Sequence, residues 1–178
     1  MQRLRHPNIV LLIGTSKQAN HLLIITELCE RGSLHDLYSQ EPCPSTIEDH
    51  LQFVMRIGLD VARGMAYLHG RRPIVLHRDL KSPNCLVTES LVTKVGDFGM
   101  SRVMDTSKTM TGCGTPLWAA PELLMGKRAG PGTDVYAYAV ILWEILAWQE
   151  VRGERDGGRE RERREGGREG EVCVPLAV

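Results

Sequence analysis

An α+β fold is predicted by three patterns that follow one another along this sequence. Two short runs of branched apolar residues come first, at residues 9–13 and 21–25. An amphipathic run with helical spacing follows at residues 46–70, and a mostly apolar run occupies residues 133–144. Because strands usually span about four to eight residues and helices about ten or more, we expect a small sheet beside longer helices.

The two N-terminal runs are the predicted strands. Both are short, apolar and rich in isoleucine, and residues 14–20 between them contain glycine, serine and asparagine. We therefore expect neighbouring strands that are separated by a turn at residues 14–20. The segment at residues 26–34, taken by itself, indicates a plain strand, turn and helix start.

The amphipathic run begins with a helix-capping signal. Thr46 precedes Asp49 by three residues, which is the spacing of an N-cap and its acidic partner. Residues facing a core then recur at alternating steps of three and four, at Leu51, Val54, Gly58, Val61, Met65 and Leu68. Gly70 is expected to end this helix.

A second helix is predicted further along the chain. The run at residues 133–144 predicts a buried helix, because its residues are mostly apolar. Asp134 lies in its first turn, where the helix dipole stabilises an acid.

Three motifs lie between the two predicted long helices. Residues 77–84 match the pattern H-R-D-L-x-x-x-N, and Asp97-Phe98-Gly99 follows thirteen residues after Asn84. Ala120-Pro121-Glu122 comes later in the chain. A lone Asp or Asn in a loop is more often a turn former than a ligand. All three motifs in this order and spacing are specific to protein kinases.

From about residue 4 to about residue 149, the chain resembles the protein kinase superfamily. It is similar to tyrosine-kinase-like serine/threonine kinases of the Raf, mixed-lineage and plant Raf-like groups. The stretch Leu4-Arg5-His6-Pro7-Asn8-Ile9-Val10 and the residues 114–122 carry the likeness together with the motifs. The resemblance implies ATP-dependent phosphoryl transfer to protein serine or threonine hydroxyls, in signalling.

The resemblance implies a kinase-like bilobal fold, but a truncated one. Gly14 is the only glycine before residue 26, so the Gly-rich phosphate loop of kinases has no counterpart there. We expect a partial small-lobe sheet and a mostly helical large lobe that lacks its last helices, with residues 1–150 as a partial kinase domain. Residues 151–178 form an Arg/Glu/Gly-rich tail, which we expect to be disordered because it has too few apolar residues for a core.

The catalytic roles follow from the family motif. Asp79 corresponds to the base that takes the proton of the acceptor hydroxyl, and Asn84 and Asp97 correspond to the ligands of Mg²⁺. Lys81 resembles the lysine that serine/threonine kinases direct at the transferred phosphate, so it favours serine/threonine over tyrosine specificity. His77 is expected to be a packed structural residue.

The nucleotide-binding roles also follow from the resemblance. Thr26 corresponds to the gatekeeper, and the Glu27 carbonyl and the Cys29 amide are expected to face adenine. Ser33 is expected near the ribose. Residues 85–88 and 92–95 correspond to the small hairpin that kinases have between the residues matching Asn84 and Asp97. Leu86, in this hairpin, matches the apolar side chain that forms the floor of the adenine pocket.

The resemblance also implies regulation and partners. A protein substrate is expected, and a further expected partner is an upstream kinase that acts on the activation segment, residues 97–122. The modified residue would be one of Thr106, Ser107, Thr109 and Thr111. Arg78 resembles the arginine that binds such a phosphate. Thr115 resembles a structural threonine near the substrate groove. Asp134 resembles an aspartate that accepts hydrogen bonds from the backbone of the catalytic loop, residues 77–84. Alternatively, the four serines and threonines at 106, 107, 109 and 111 are ordinary loop residues without a regulatory role.

Composition limits the other functions. The formal net charge of +0 argues against a nucleic-acid or membrane-surface binder. The longest apolar stretch, at residues 136–148, is too short for a membrane span. The five cysteines contain no C-x-x-C pair, which favours reduced thiols and a cytoplasmic location. The alternative function is a catalytically inactive kinase fragment that acts as a protein-binding module.

Overall fold

Residues 4–18, 21–97, 102–103 and 115–149 are described by the structure, a computed structural model. The strands are β1 (Leu12–Gln18), β2 (His21–Thr26), β3 (Val75–Leu76), β4 (Cys85–Val87), β5 (Thr93–Val95) and β6 (Arg102–Val103). The helices are α1 (Leu34–Gln40), α2 (Ile47–His69), α3 (Pro121–Leu124) and α4 (Pro131–Ala147). One-turn 3₁₀ helices lie at Ser82–Asn84 and Pro116–Trp118. This mixture of helices and small sheets agrees with the predicted α+β class.

Strands β1 and β2 form an antiparallel pair whose register runs from Leu12 opposite Thr26 to Gln18 opposite His21. The prediction of the second strand is confirmed, but the bounds of the first are wrong. Ile9 is instead buried and forms a parallel bridge with Val95. The start of the apolar run therefore joins the core, and residues 14–18, which the sequence predicts as part of a turn, instead pair with β2.

Helix α1 begins with a complete capping box. The Ser33 hydroxyl accepts a hydrogen bond from the Asp36 amide at 3.1 Å, and the Asp36 carboxylate accepts one from the Ser33 amide at 2.9 Å. Each partner satisfies a donor that the helix itself leaves open. The hydrogen bonds from the Ser33 side chain and amide also hold the pKa of Asp36 below its usual value.

Helix α2 is the long helix that the amphipathic pattern predicts. The predicted N-cap is confirmed, because Thr46 Oγ1 accepts a hydrogen bond from the Asp49 amide at 3.0 Å. Gly70 ends the helix as its C-cap, as predicted. Leu51 departs from the prediction, since it is 49% exposed, and the buried stripe starts at Ile57.

Two glycines of α2 mark close approaches to neighbouring elements. A Cβ atom on Gly64 would lie 2.5 Å from the Asn8 carbonyl oxygen, and one on Gly58 would lie 2.8 Å from a methyl group of Leu142. Asn8 is fixed in turn, because its carbonyl accepts a hydrogen bond from the Val95 amide at 3.0 Å. Helix α2 therefore packs between α4 on one side and the segment beside β5 on the other.

The predicted hairpin is confirmed, since β4 and β5 pair antiparallel with Cys85 opposite Val95. Helix α4 is also confirmed, but it is not buried on all sides. Its described surface leaves Val135, Tyr136 and Trp143 exposed, whereas Ile141 and Ile145 are fully buried. The main core includes Ile9, Leu34, Leu37, Ile57, Val61, Leu68, Leu80, Val87, Val95, Trp118, Ile141 and Ile145.

Several predictions concern residues that the structure does not describe. They involve Phe98, Gly99, Thr106, Ser107, Thr109, Thr111 and the tail at residues 151–178. In the part of the chain that is described, no helix combines the length and apolarity needed to cross a membrane.

Candidate active site

The loop after β3 is anchored to helix α4 by one buried carboxylate. Asp134 is 2% exposed, and its two oxygens accept hydrogen bonds from the amides of His77 and Arg78, both at 2.9 Å. His69 Nε2 lies 2.8 Å from the same carboxylate. Burial raises the pKa of Asp134, but the hydrogen bonds from His69, Arg78 and His77 outweigh it, so that the net pKa is lowered. The expected contact of Asp134 with the loop backbone is confirmed.

His77 connects this loop to the strand that precedes Asp97. It is fully buried, and its Nε2 lies 2.8 Å from the Gly96 carbonyl oxygen. Burial lowers the pKa of His77, more than its hydrogen bond and nearby acids raise it. Because a carbonyl only accepts, the neutral ring carries its proton on Nε2. The prediction of a packed structural residue is confirmed.

Arg78 has a left-handed backbone with φ of 71°. A non-glycine residue rarely adopts this conformation unless its surroundings enforce it. Here Asp134 holds the amides of two successive residues, and Asp79 follows directly after them. The strained turn thus positions Asp79 relative to the core.

Asp79 stands at the centre of a polar cluster. Its Oδ2 lies 2.9 Å from Lys81 Nζ, and its Oδ1 accepts hydrogen bonds from the Thr115 amide at 3.1 Å and the Thr115 hydroxyl at 3.0 Å. Asn84 Nδ2 donates to the Asp79 carbonyl oxygen at 2.8 Å. Burial raises the pKa of Asp79, but the interactions with Lys81 and Thr115 outweigh it and lower the pKa overall. Asp79 is therefore a carboxylate at neutral pH.

Lys81 joins the loop to the segment before α3. Its Nζ lies 2.7 Å from Thr115 Oγ1 in addition to its contact with Asp79. The Lys81 side chain is 21% exposed, so the described residues cover it only in part. The structure therefore brings the predicted base and the predicted lysine to one point, with Thr115 as a third member that the resemblance placed near the substrate groove.

Asn84 and Asp97 offer oxygen atoms of the kind that Mg²⁺ prefers. The Asn84 side-chain nitrogen is directed at Asp79, which leaves its side-chain oxygen on the other side. The Gly96 amide donates to the Asn84 backbone carbonyl at 2.8 Å, so the residue before Asp97 lies against Asn84. Asp97 is exposed and has a φ of 51°. This donor set fits Mg²⁺ shared with phosphate oxygens.

A second kind of metal site would be built from protein side chains alone, without phosphate oxygens. Among residues 4–18, 21–97, 102–103 and 115–149, no group of three or more histidine, cysteine, aspartate or glutamate side chains could hold a metal ion. Mg²⁺ bound beside substrate phosphates takes only one or two protein ligands, and waters and phosphates complete its coordination, so it does not require such a group.

The segment after β2 carries the predicted adenine contacts. The Glu27 amide donates to the Leu11 carbonyl at 3.0 Å, and the Cys29 carbonyl accepts from the Gly32 amide at 3.2 Å. Within the described residues, the Glu27 carbonyl and the Cys29 amide have no hydrogen-bond partner. These two backbone groups are therefore available to a ligand. Thr26 is exposed at the end of β2.

The remaining predicted nucleotide contacts are Leu86 and Ser33, which form an isolated antiparallel bridge. Leu86 is half-buried in β4, opposite Lys94. The Ser33 hydroxyl is engaged by the carboxylate of Asp36 at 2.6 Å. Ser33 therefore has a structural role as the cap of α1, which the S-x-x-D spacing could have indicated.

Sequence reasoning did not find the side-chain role of Glu27. Its carboxylate lies 2.9 Å and 3.0 Å from Lys94 Nζ and accepts a hydrogen bond from the Leu11 amide at 2.8 Å. The three residues are far apart in sequence, and no local pattern joins them. This contact ties β5, which leads to Asp97, to the segment with the predicted adenine contacts.

A second cluster that sequence reasoning missed surrounds Glu144. This carboxylate is fully buried and accepts a hydrogen bond from Trp118 Nε1 at 3.0 Å, and the Tyr38 hydroxyl lies 3.2 Å away. The Tyr38 hydroxyl also lies 2.7 Å from Ser82 Oγ. A glutamate inside an apolar helix was the available signal, because such a group is buried only with partners. The cluster joins α1, both 3₁₀ helices and α4 beneath the Asp79 loop.

Comparisons with known proteins identify the family to which the chain is similar. The family model described as protein tyrosine and serine/threonine kinase matches residues 1–154. Serine/threonine-protein kinase CTR1 of Arabidopsis thaliana is 43% identical over 155 residues, which are 86% of this chain and 19% of CTR1. Probable serine/threonine-protein kinase drkB of Dictyostelium discoideum is 42% identical over 150 residues, 84% of this chain and 21% of drkB. The chain thus spans about a fifth of the length of these relatives.

Proposed function

The chain belongs to the protein tyrosine and serine/threonine kinase family, and we propose that it carries the phosphoryl-transfer site of a protein serine/threonine kinase. The phosphoryl donor is ATP and the acceptor is a hydroxyl group of a protein substrate. The relatives named above are serine/threonine-protein kinases by name. The activity is a proposal for this chain, because it spans only about a fifth of their length.

The observation that carries the proposal is the polar cluster around Asp79. The carboxylate has a lowered pKa and is held from two sides, by Lys81 and by Thr115. An ionised, oriented carboxylate can align a substrate hydroxyl and take its proton. The hydroxyl oxygen then bonds to the γ-phosphorus of ATP while the bond from that phosphorus to the β–γ bridging oxygen breaks, and ADP leaves.

Lys81 supplies positive charge at the same point. Its ammonium group lies 2.9 Å from Asp79 and 2.7 Å from Thr115, and we propose that it stabilises the charge on the transferred phosphoryl group. Phosphoryl transfer depends mainly on positioning and charge neutralisation. A lysine at this position of the motif supports serine/threonine specificity.

The rest of the site would bind the nucleotide. Asn84 and Asp97 would hold Mg²⁺, which neutralises phosphate charge when bound. Thr26 as gatekeeper, the Glu27 carbonyl, the Cys29 amide and Leu86 would contact adenine. The Ser33 hydroxyl is engaged by Asp36. We therefore propose that Ser33 lies near the ribose as part of the start of α1, and that its hydroxyl does not bind the ribose.

An upstream kinase is the proposed regulatory partner. Arg78 is 6% exposed, and its Nε has no hydrogen-bond partner among the described residues. A buried guanidinium nitrogen without a partner is costly, and a phosphate group would satisfy it. The phosphorylated residue would be one of Thr106, Ser107, Thr109 and Thr111. The described cysteines are in the thiol form, which supports the cytoplasm as the compartment.

The test is phosphate transfer from ATP by the purified protein to peptides that offer only serine, threonine or tyrosine. We expect Mg²⁺-dependent transfer to serine and threonine, and a loss of at least about 100-fold in Asp79→Asn, which removes the base. Glu48→Gln, an exposed change in the first turn of α2, is the control and should leave the rate unchanged. Equal rates for Asp79→Asn and the unmodified protein would refute the assignment.

The alternative function has a distinct outcome in the same assay. A folded protein that transfers no phosphate to any of the peptides would favour the protein-binding module over the enzyme. Transfer to tyrosine alone would retain the kinase assignment but contradict the specificity inferred from Lys81.

A further inference from the structure

A cysteine–histidine pair lies outside the candidate active site, where Cys43 of the loop between α1 and α2 meets His50 of the first turn of α2. Cys43 Sγ is 3.6 Å from His50 Nδ1, and both side chains are half-buried. This distance is within the range of a hydrogen bond that involves sulfur. Neither residue takes part in the proposed phosphoryl transfer.

The imidazole of His50 is held in the orientation of a base. Its other nitrogen, Nε2, lies 3.0 Å from the carbonyl oxygen of Ile145 in the last turn of α4. A backbone carbonyl only accepts hydrogen bonds, so Nε2 carries the proton of the neutral ring. Nδ1 therefore presents its lone pair to the thiol of Cys43. A nucleophile, a base and a group that orients the base form the arrangement of an activated thiol.

Further contacts fix the corner in which this pair lies. The Trp148 ring packs edge-on against His50 with ring centroids 5.7 Å apart, and Trp148 Nε1 donates to the Glu41 carbonyl oxygen at 3.0 Å. Phe53 lies on the same indole ring, with centroids 5.3 Å apart. The loop with Cys43 is thus attached to the end of α4.

His50 lies in the first turn of α2, and its Nε2 reaches the last turn of α4, so the pair lies where the ends of two helices meet. Two acids of the adjoining segments have partners of their own, because Asp49 accepts a hydrogen bond from the Thr46 hydroxyl and Glu41 pairs with Arg31 at 3.1 Å.

The other two cysteines in the described part of the chain lack such a base. Burial raises the pKa of the Cys29 thiol, and acidic neighbours add to the effect. Burial also raises the pKa of Cys85, which is fully buried. Since the thiolate is the nucleophile, both should react slowly. They are internal controls for Cys43.

We propose that Cys43 is a modification site that exchanges with low-molecular-weight disulfides, with His50 as its base. His50 Nδ1 accepts the thiol proton, and Cys43 Sγ attacks one sulfur atom of the disulfide. The disulfide bond breaks, its second half leaves as a thiolate, and that thiolate takes up the proton. Cys43 is oxidised to a mixed disulfide, and the leaving half is reduced to a thiol.

The test uses the full chain with Cys113→Ser and Cys173→Ser, so that Cys29, Cys43 and Cys85 remain. The protein is treated with glutathione disulfide, and the modified residues are quantified by peptide mass spectrometry over time. We expect Cys43 to be modified at least about tenfold faster than Cys29 or Cys85. His50→Gln should lower the Cys43 rate by about tenfold, because it removes the base.

A control variant distinguishes the loss of the base from a change in the packing around it. Phe53→Leu loosens the same corner without removing the imidazole, so it should leave the Cys43 rate unchanged or raise it through greater access. A similar drop in both variants would overturn the role of His50, and so would a change below twofold in His50→Gln. If His50→Gln does not fold, the test is the ratio of the modification rates of Cys43 and Cys29 in the protein that retains His50. Equal rates for the two cysteines would overturn the proposal.

Discussion

Replacing Asp134 by alanine should destabilise the protein by about 2–6 kcal/mol. The carboxylate is 2% exposed and accepts hydrogen bonds from two buried backbone amides, those of His77 and Arg78. Each buried donor that is left without a partner costs about 1–3 kcal/mol. The lost contact with His69, at 2.8 Å, adds to this. This is a large share of the roughly 5–15 kcal/mol by which domains are usually stable.

The measurement is urea unfolding of the purified variants, followed by circular dichroism. Glu48→Ala is the matched control, because Glu48 is exposed in the first turn of α2, and it should change the free energy of unfolding by no more than about 0.5 kcal/mol. A loss below about 1 kcal/mol for Asp134→Ala would refute the reasoning, since it would mean that the two amides find other partners.

The same carboxylate gives a pH dependence with a defined sign. The pKa of Asp134 is lower in the folded protein than the value of about 3.9 of an unfolded chain. Its stabilising contribution is therefore complete above that value and is lost as the pH falls through the folded pKa. The difference in unfolding free energy between the unmodified protein and Asp134→Asn should be constant near neutral pH and should shrink below about pH 4.

Two other contacts yield predictions that unfolding experiments can check. Gly64→Ala should cost about 1–3 kcal/mol, because its Cβ would lie 2.5 Å from the Asn8 carbonyl oxygen, whereas Gly132→Ala meets no atom within 4 Å and should be neutral or stabilising. Equal effects of the two substitutions would contradict the packing described for α2. A double-mutant cycle of Glu27→Gln and Lys94→Met should give a coupling of about 0.2–1 kcal/mol, as for partly exposed ion pairs, and no coupling would contradict the contact.

Local signals in the sequence predicted the elements that depend on neighbours along the chain. The cap at Thr46 and the helix end at Gly70 involve residues within one helical turn, so spacing alone revealed them. The catalytic-loop motif also predicted which residues lie together. Asp79 and Lys81 are adjacent in the structure, because one short loop carries both.

Contacts between distant parts of the chain could not be predicted in this way. The run at residues 9–13 has the pattern of a strand, yet the pairing of Ile9 with Val95 decides where β1 starts. Glu144 was visible as a charge in an apolar helix, but its partner Trp118 comes from another element. Such partners are fixed by the packing of whole elements, which a pattern of residue types does not encode.

The imidazole of His77 has a consequence for any attempt to transplant this site. It belongs to the loop of Asp79, yet it is bonded to the carbonyl of Gly96, the residue before Asp97. The separation of the two loops is therefore set by the width of one uncharged ring. A graft that moved only the Asp79 loop into another scaffold would leave this ring without its acceptor. The smallest portable unit is the pair of loops together with the aspartate of α4 that anchors them.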